Sequence, residues 1–294
     1  MNIKDRVVVV TGGGSGIGKG LCERFYHEGA RGIVVADLNF DAASAVATAI
    51  GGLAVAVDVR DEAQIIALVE QAEAEFGQID LFCSNAGIVK GDGEPWWATS
   101  APNEVWQAMW EIHVMSHIYA ARACLPSMIR RGEGYFLNTA SAAGLLSQIG
   151  DAAYSTTKHA AVAFAESLAI THGDDGIKVS VLCPQAVDTP MIQNVESGGV
   201  AGVDGVVTPA EVAEAVIQGL DSEQFLILPH PQVEQYRGLK SANYDRWIGH
   251  PNQIYMRRVN QDQIFLAQLM GHQPLLVSIP ENALQPRTYI SPLF

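Results

Sequence analysis

The sequence has no C-x-x-C pair and no closely spaced cysteines. Its four, Cys22, Cys83, Cys124 and Cys183, stand about 40 to 60 positions apart, which excludes a disulfide framework and a zinc knuckle and reads as reduced, mostly buried thiols. Basic residues are also few. Eighteen Lys and Arg against 32 Asp and Glu leave a formal charge of −14, so there is no electrostatic footprint for nucleic acid or for an anionic membrane. Long apolar runs are missing too: "MNIKDRVVVVTGGG" reaches turn residues after four valines, too short for a signal segment, and no stretch approaches a membrane span. These absences lead us to expect a soluble, cytoplasmic protein.

What is present is a chain of 294 residues, 48% hydrophobic, ample for one large core. Short β-rich runs alternate with longer helical patterns: 7–10, 32–37, 53–59, 79–87, 134–141, 178–184 and 224–229. The runs are almost continuously apolar, as strands are when helices cover both faces of a sheet. The expected fold is therefore α/β, a doubly wound parallel sheet of seven strands, with ligands beyond the strand C-termini. Two long loops, 88–106 and 185–208, follow strand ends, where long loops tend to be functional. We expect a domain at 1–229 and a helical extension with a tail at 230–294. The extension would bury Tyr236, Trp247, Ile254, Phe265 and Leu269 against the domain or a neighbouring subunit.

"VVVVTGGGSGIGKGL" reads as strand, glycine loop and helix, with Gly12, Gly16 and Gly18 spaced for a pyrophosphate at the helix N-terminus. Ser15 and Ile17 share that loop. Asp37 ends the second run, nineteen positions after Gly18, where a carboxylate can accept both ribose hydroxyls of NAD. The same charge would repel the phosphate of NADP, and Ser15, Leu38 and Asn39 offer no compensating cation, so NAD is favoured. Asp58 and Val59 are placed for an adenine contact and Asn85, Ala86 and Gly87 for a wall beside the ribose, although each also suits an ordinary turn.

Tyr154 and Lys158 stand four apart in "AYSTTKHAA", hence on one helix face. Together with "TGGGSGIG", "DV" 58–59, "NAG" 85–87 and "NTAS" 138–141, "YSTTK" 154–158 resembles the short-chain dehydrogenase/reductase family over about residues 5 to 229. Ser141 precedes Tyr154 by thirteen, the family's interval. The resemblance implies a Rossmann-type domain, a homodimer or homotetramer, and a Ser141–Tyr154–Lys158 centre acting on an alcohol or ketone. In chemical terms, an ammonium and a positive nicotinamide ring both favour the phenolate of Tyr154, making it an acid/base for hydride transfer. Lys158 would also bond the nicotinamide ribose and Ser141 the substrate oxygen. "CPQAVDTPM" matches the family's segment beside the nicotinamide, with Pro184, Val187 and Thr189 as contacts. Ala143, Gln185, Trp96 and Met191 are candidates for the substrate pocket. Gln185 replaces the family's usual glycine, and lines the pocket or is a tolerated loop residue; the Trp96–Trp97 pair forms a pocket wall or a packing contact.

One departure touches the centre. His113 stands where the family has an asparagine that shapes a helix kink, while a backbone carbonyl there holds water behind the lysine. His113 is thus a fourth catalytic candidate, through its side chain or through its backbone alone. His113 and His117 have metal-binding spacing, but the expected chemistry needs no metal and we assign none. The expected activity is NAD-dependent oxidation of a secondary alcohol; an NAD(H)-linked carbonyl reductase or epimerase, or a silent nucleotide-binding protein, are the other readings.

Overall fold

The computed structural model describes residues 1–249 apart from 96, 194 and 195. Along this stretch strand and helix alternate as the apolar runs predict. β1 (Val7–Thr11), α1 (Gly16–His27), β2 (Gly32–Asp37), α2 (Phe40–Ile50), β3 (Leu53–Ala56), α3 (Glu62–Phe76) and β4 (Leu81–Ser84) come first. After a long loop follow α4 (Asn103–Trp110), a π-helical turn (Glu111–Met115) and α5 (Ser116–Arg131), which run on without a break. Then come β5 (Gly134–Thr139), α6 (Ala143–Leu146), α7 (Ala152–His172), β6 (Ile177–Leu182), α8 (Pro209–Asp221), β7 (Leu226–Ile227), α9 (Gln232–Ala242) and α10 (Tyr244–Gly249).

All seven strands are parallel, in the order β3-β2-β1-β4-β5-β6-β7. The order reverses between β1 and β4, and the crevice at that switch point is where doubly wound sheets place ligands. Strand side chains alternate between two cores. Val9, Val34, Phe82, Phe136 and Val181 face α3, α5 and α7, whereas Val8, Val10, Leu81, Leu137 and Leu182 face α1, α2 and α8. Both faces being dry explains why the runs lack the polar alternation of a half-exposed sheet. Local signals set the helix starts: Asn39 caps α2 through Ala42 N–H, and Thr208 with Glu211 forms a reciprocal capping box on α8.

The strands are shorter than the apolar runs. β3 ends at Ala56 and β5 at Thr139, because their partner strands end there, at Asp37 and Leu182. Asp58, Asn85 to Gly87 and Ser141 therefore stand just beyond the ladder, in chain free to turn toward the crevice. The 185–208 segment is also more ordered than its composition suggests. It holds a 3₁₀ stretch at Glu196–Gly202, and its ends are pinned where Val187 pairs with Val207. Of the large apolar groups expected to anchor the C-terminal region, Tyr236 is half-buried and donates to Asp204 Oδ1 at 3.0 Å, and Trp247 is half-buried; Ile254, Phe265 and Leu269 lie outside the described residues. Among the described residues no helix is long and apolar enough to cross a membrane.

Candidate active site

The glycine turn after β1 is a cradle that side chains would destroy. Gly12 and Gly16 have φ of +65° and +50°, a region costly for residues with a Cβ. A Cβ on Gly18 would come within 2.1 Å of Gly12 O, and one on Gly12 within 2.9 Å of Ala86 Cα. The chain thus passes the start of α1 at closest approach, leaving the first-turn amides around Ser15, Gly16 and Ile17 for an anion. Asp37 locks the cradle to β2: its Oδ2 accepts Gly14 N–H at 3.0 Å and its Oδ1 accepts Asn39 N–H at 2.9 Å. Leu38 beside it is 72% exposed. This donor set fits a dinucleotide, whose pyrophosphate the first-turn amides would hold and whose ribose Asp37 would accept.

On the far wall of the crevice, Thr11 holds the 85–87 turn. Its hydroxyl accepts Asn85 N–H at 2.9 Å and Ala86 N–H at 3.2 Å, while Asn85 Nδ2 donates to Thr11 O. Thr139 donates to Asn85 Oδ1 at 3.2 Å. Asp58 is turned toward Arg60, with which it forms an ion pair, and its oxygen also accepts Arg60 N–H. That hydrogen bonding holds the Asp58 carboxyl below its usual range. Val59 is buried beneath it. From the other side Thr189 closes over the glycine turn, where a Cβ on Gly16 would lie 3.0 Å from its Cγ2. Pro184 and Val187 are buried behind it.

Tyr154 and Lys158 lie one turn apart on α7. The stretch expected as a loop over 88–106 is shorter, because α4 begins at Asn103. The first turn of α7 is capped in trans: Asp92, buried in the loop between β4 and α4, accepts Ala152 N–H at 2.8 Å through Oδ1 and donates its own N–H to Gly150 O. Ser141 faces Tyr154 from beyond β5, its hydroxyl accepting Ala143 N–H at 3.1 Å. Lys158 is 3% exposed and donates to Thr139 O at 3.0 Å, its ammonium 5.7 Å from the centre of the Tyr154 ring. Burial pushes the Tyr154 phenol up to about 12, opposed by its hydrogen bond to Ser141, and lowers Lys158 to about 8. The lowering of the tyrosine expected from the lysine is therefore not produced by the protein alone. At 5.7 Å the ammonium stands beside the ring, and its bond goes to a carbonyl.

His113 occupies the middle of the π-helical turn, so the helix irregularity expected at this position is present with a histidine in it. Its ring is fully buried and used at both nitrogens. Nε2 accepts Ile88 N–H at 3.1 Å, and Nδ1 lies 2.9 Å from Thr157 Oγ1. Nε2 must then carry no proton, so a neutral ring holds its hydrogen on Nδ1 and donates to Thr157. Thr157 in turn donates to Ala153 O at 2.9 Å or Tyr154 O at 3.0 Å. Burial and the nearby Lys158 both push His113 well below the ordinary histidine value. The imidazole edge also meets the Tyr154 ring at 5.5 Å and 90°.

The substrate candidates are less closely gathered. Ala143 is buried directly after Ser141, and Gln185 is half-buried with its backbone N–H donating to His230 Nδ1 at 3.2 Å. Met191 and Ile149 are exposed apolar groups, as is Trp97; Trp96 lies outside the described residues. Sequence reasoning missed Asp92, Thr157 and Thr11. Asp92 sits in "KGDGE", which reads as a turn, and its partner lies sixty positions on.

A doubly wound sheet with a glycine cradle on one wall of its crevice and a Ser–Tyr–Lys cluster on the other defines a Rossmann-type oxidoreductase architecture. Comparison with known proteins is specific. The chain belongs to the short-chain dehydrogenase/reductase family: the family model for short chain dehydrogenase matches residues 6–199. A 1-deoxy-11-beta-hydroxypentalenate dehydrogenase of Streptomyces exfoliatus is 38% identical over 233 residues, 77% of this chain and 84% of the relative. A 3beta-hydroxysteroid dehydrogenase 2 of Eggerthella lenta is 32% identical over 226 residues, 71% of this chain and 85% of the relative. Among solved structures, a family member from Burkholderia phymatum in complex with NAD aligns with a TM-score of 0.74 at 27% identity, covering 83% of this chain and 96% of that one.

Proposed function

We propose that the protein is an NAD-dependent dehydrogenase of secondary alcohols, with Tyr154 as acid/base. The observation that carries this reading is the crevice itself, in which Tyr154, Ser141 and Lys158 converge opposite a glycine cradle whose ribose position is held by Asp37 with no cation beside it in sequence. A bound nicotinamide supplies the hydride acceptor, and adds a positive charge near the phenol. Tyr154 takes the hydroxyl proton as the C–H bond breaks; Ser141 holds the same oxygen and stabilises its developing charge. Lys158, charged and buried, would orient the ribose. Burial raises the phenol, and a positive nicotinamide ring beside it would favour its ionised form.

The proposed substrate is a hydroxyl on a ring of an apolar molecule. Two of the relatives are named for a hydroxypentalenate and a hydroxysteroid, and the apolar side chains of Ile149, between Ser141 and Tyr154 in sequence, and of Met191, just after Thr189, stand open to solvent. Gln185 is the candidate for a second polar contact. The same atoms run in reverse as a carbonyl reductase. We also propose a cytoplasmic homodimer or homotetramer, with 230–294 as an extension of the 1–229 catalytic domain.

The test is reduction of NAD and of NADP, side by side, over steroid, alicyclic, aromatic and aliphatic alcohols. Turnover with NAD on a cyclic secondary alcohol, at least about tenfold better than with NADP, is expected, the size of a modest charge repulsion. Equal use of both cofactors would remove the role given to Asp37, and no turnover on any alcohol or ketone would remove the enzymatic reading.

A further inference from the structure

Among the buried polar side chains that the mechanism leaves unused, three stand out. His117 has no hydrogen-bond partner at either ring nitrogen, Ser84 none at Oγ and Asn138 none at Nδ2. They are 2%, 3% and 1% exposed. Buried polar groups in folded proteins nearly always have partners, and an orphan costs about 1–3 kcal/mol. Three scattered orphans would be three separate costs. These three are gathered.

Ser84 and Asn138 are register partners on adjacent strands β4 and β5. Each follows the alternation of Phe82 and Phe136, so both point to the sheet face covered by α3, α5 and α7. His117 lies in the first turn of α5, one turn before Ala120 and Ala121 and two before Cys124, which pack on that face. The start of α5 stands over the C-terminal ends of β4 and β5, where Ser84 and Asn138 are. Lys158 borders the same place: its ammonium bonds the carbonyl of Thr139, the residue after Asn138, and lies near His113 Nε2 across Gly87.

We infer that His117, Ser84 and Asn138 bind an internal water that stands behind Lys158 and supports its ammonium from the side away from the crevice. The donor set suits water: imidazole gives one donor and one acceptor, the hydroxyl one of each and the amide a donor, and a buried water typically makes two to four such bonds, about three on average. The consequence concerns a charge that burial has weakened. Lys158 stands near 8, and the groups facing it are neutral near pH 7: His113 is held far below its usual value, His117 is down to about 3, and Tyr154 and Cys183 are up at about 12. A water dipole is therefore the support available on that side.

The inference rests on the proposed dehydrogenase only for its kinetic arm. A crystal structure of the full chain, at a resolution that orders internal waters, should show a peak bonded to His117 and to Ser84 or Asn138. Direct bonds among the three side chains, or a dry contact, would overturn the site whether or not the protein turns over any alcohol. In solution, His117→Leu should move the basic limb of kcat/KM to lower pH by about 0.5 unit, roughly threefold in the charged fraction of Lys158, while His117→Gln, which can still bond water, should stay near wild type. A basic limb that His117→Leu leaves in place, with the melting temperature unchanged or raised, would show these groups to be simply unsatisfied. If His117→Leu fails to fold, Ser84→Ala provides the same comparison.

Discussion

The two walls of the crevice solve the same problem differently. On the cradle wall, from β1 to β3, polar demands are met mostly by backbone. Asp37 is satisfied by the amides of Asn39, two residues on, and of Gly14 in the glycine turn, and no polar side chain there is buried without a partner. On the catalytic wall, from β4 to β6, polar side chains are buried at long range and some stay unpaired: Lys158, His113, His117, Ser84 and Asn138 are all under 4% exposed. The cradle recognises a ligand through shape, which glycine supplies cheaply. The catalytic wall must hold charges in the wrong medium, and burial is what separates Tyr154 and Lys158 from their ordinary values.

The contrast can be broken in order of effect. Tyr154→Phe removes the acid/base group while keeping the ring against His113, so kcat/KM should fall by at least about a hundredfold with cofactor affinity nearly unchanged. Retained activity, measured by cofactor absorbance, would move the proton carrier elsewhere. Gly18→Ala should act the other way. Its Cβ would press on Gly12 O, and we expect cofactor binding to weaken by about tenfold or more and stability to drop by on the order of 1–3 kcal/mol, readable by calorimetry. Asp37→Ala should relax the preference for NAD by about tenfold, seen as a ratio of kcat/KM for the two cofactors.

Smaller effects test the histidines. His113→Asn should keep about a tenth or more of the activity with an unmoved acid limb, because the ring stays neutral and both of its nitrogens are already engaged, by the Ile88 amide and the Thr157 hydroxyl. A shift of that limb by a full unit would place the imidazole in the proton path. The pH dependence of stability gives the sign independently. His113 and His117 are depressed in the folded state, so below the ordinary value near 6.5 the unfolded chain binds more protons and stability falls as pH falls. Each buried ring contributes about 1.4 kcal/mol per pH unit in that window. His117→Leu should flatten the acid side of a melting-temperature curve, by more at pH 4.5 than at pH 6; parallel curves would mean His117 already titrates normally.

The alternating runs and the motif spacings made the fold and the meeting of Ser141, Tyr154 and Lys158 readable in the sequence, since both depend on residues near in sequence or on a fixed interval. The sequence could not give strand ends, because a ladder stops where its neighbour stops. Nor could it reveal Asp92 as the cap of α7, Thr157 as the partner of His113 or Thr11 as the anchor of the 85–87 turn. Those bonds span 60, 44 and 74 positions, and an Asp between glycines or a Thr in an apolar helix carries no local mark of its partner. His113 was visible as a departure, but its protonation followed only from the Ile88 amide that donates to it.

The trans cap on α7 has a further meaning for how such an enzyme diversifies. The loop between β4 and α4 is a proposed part of the substrate pocket, yet Asp92 inside it also caps the helix that carries Tyr154. Residues on either side of Asp92 are therefore free to drift in length and character while that one position is tethered. An insertion beyond it reshapes the mouth of the crevice, whereas one that displaces it unwinds the first turn beneath the tyrosine. Libraries that test whether this loop sets specificity should therefore randomise 93–102 and keep Asp92 fixed.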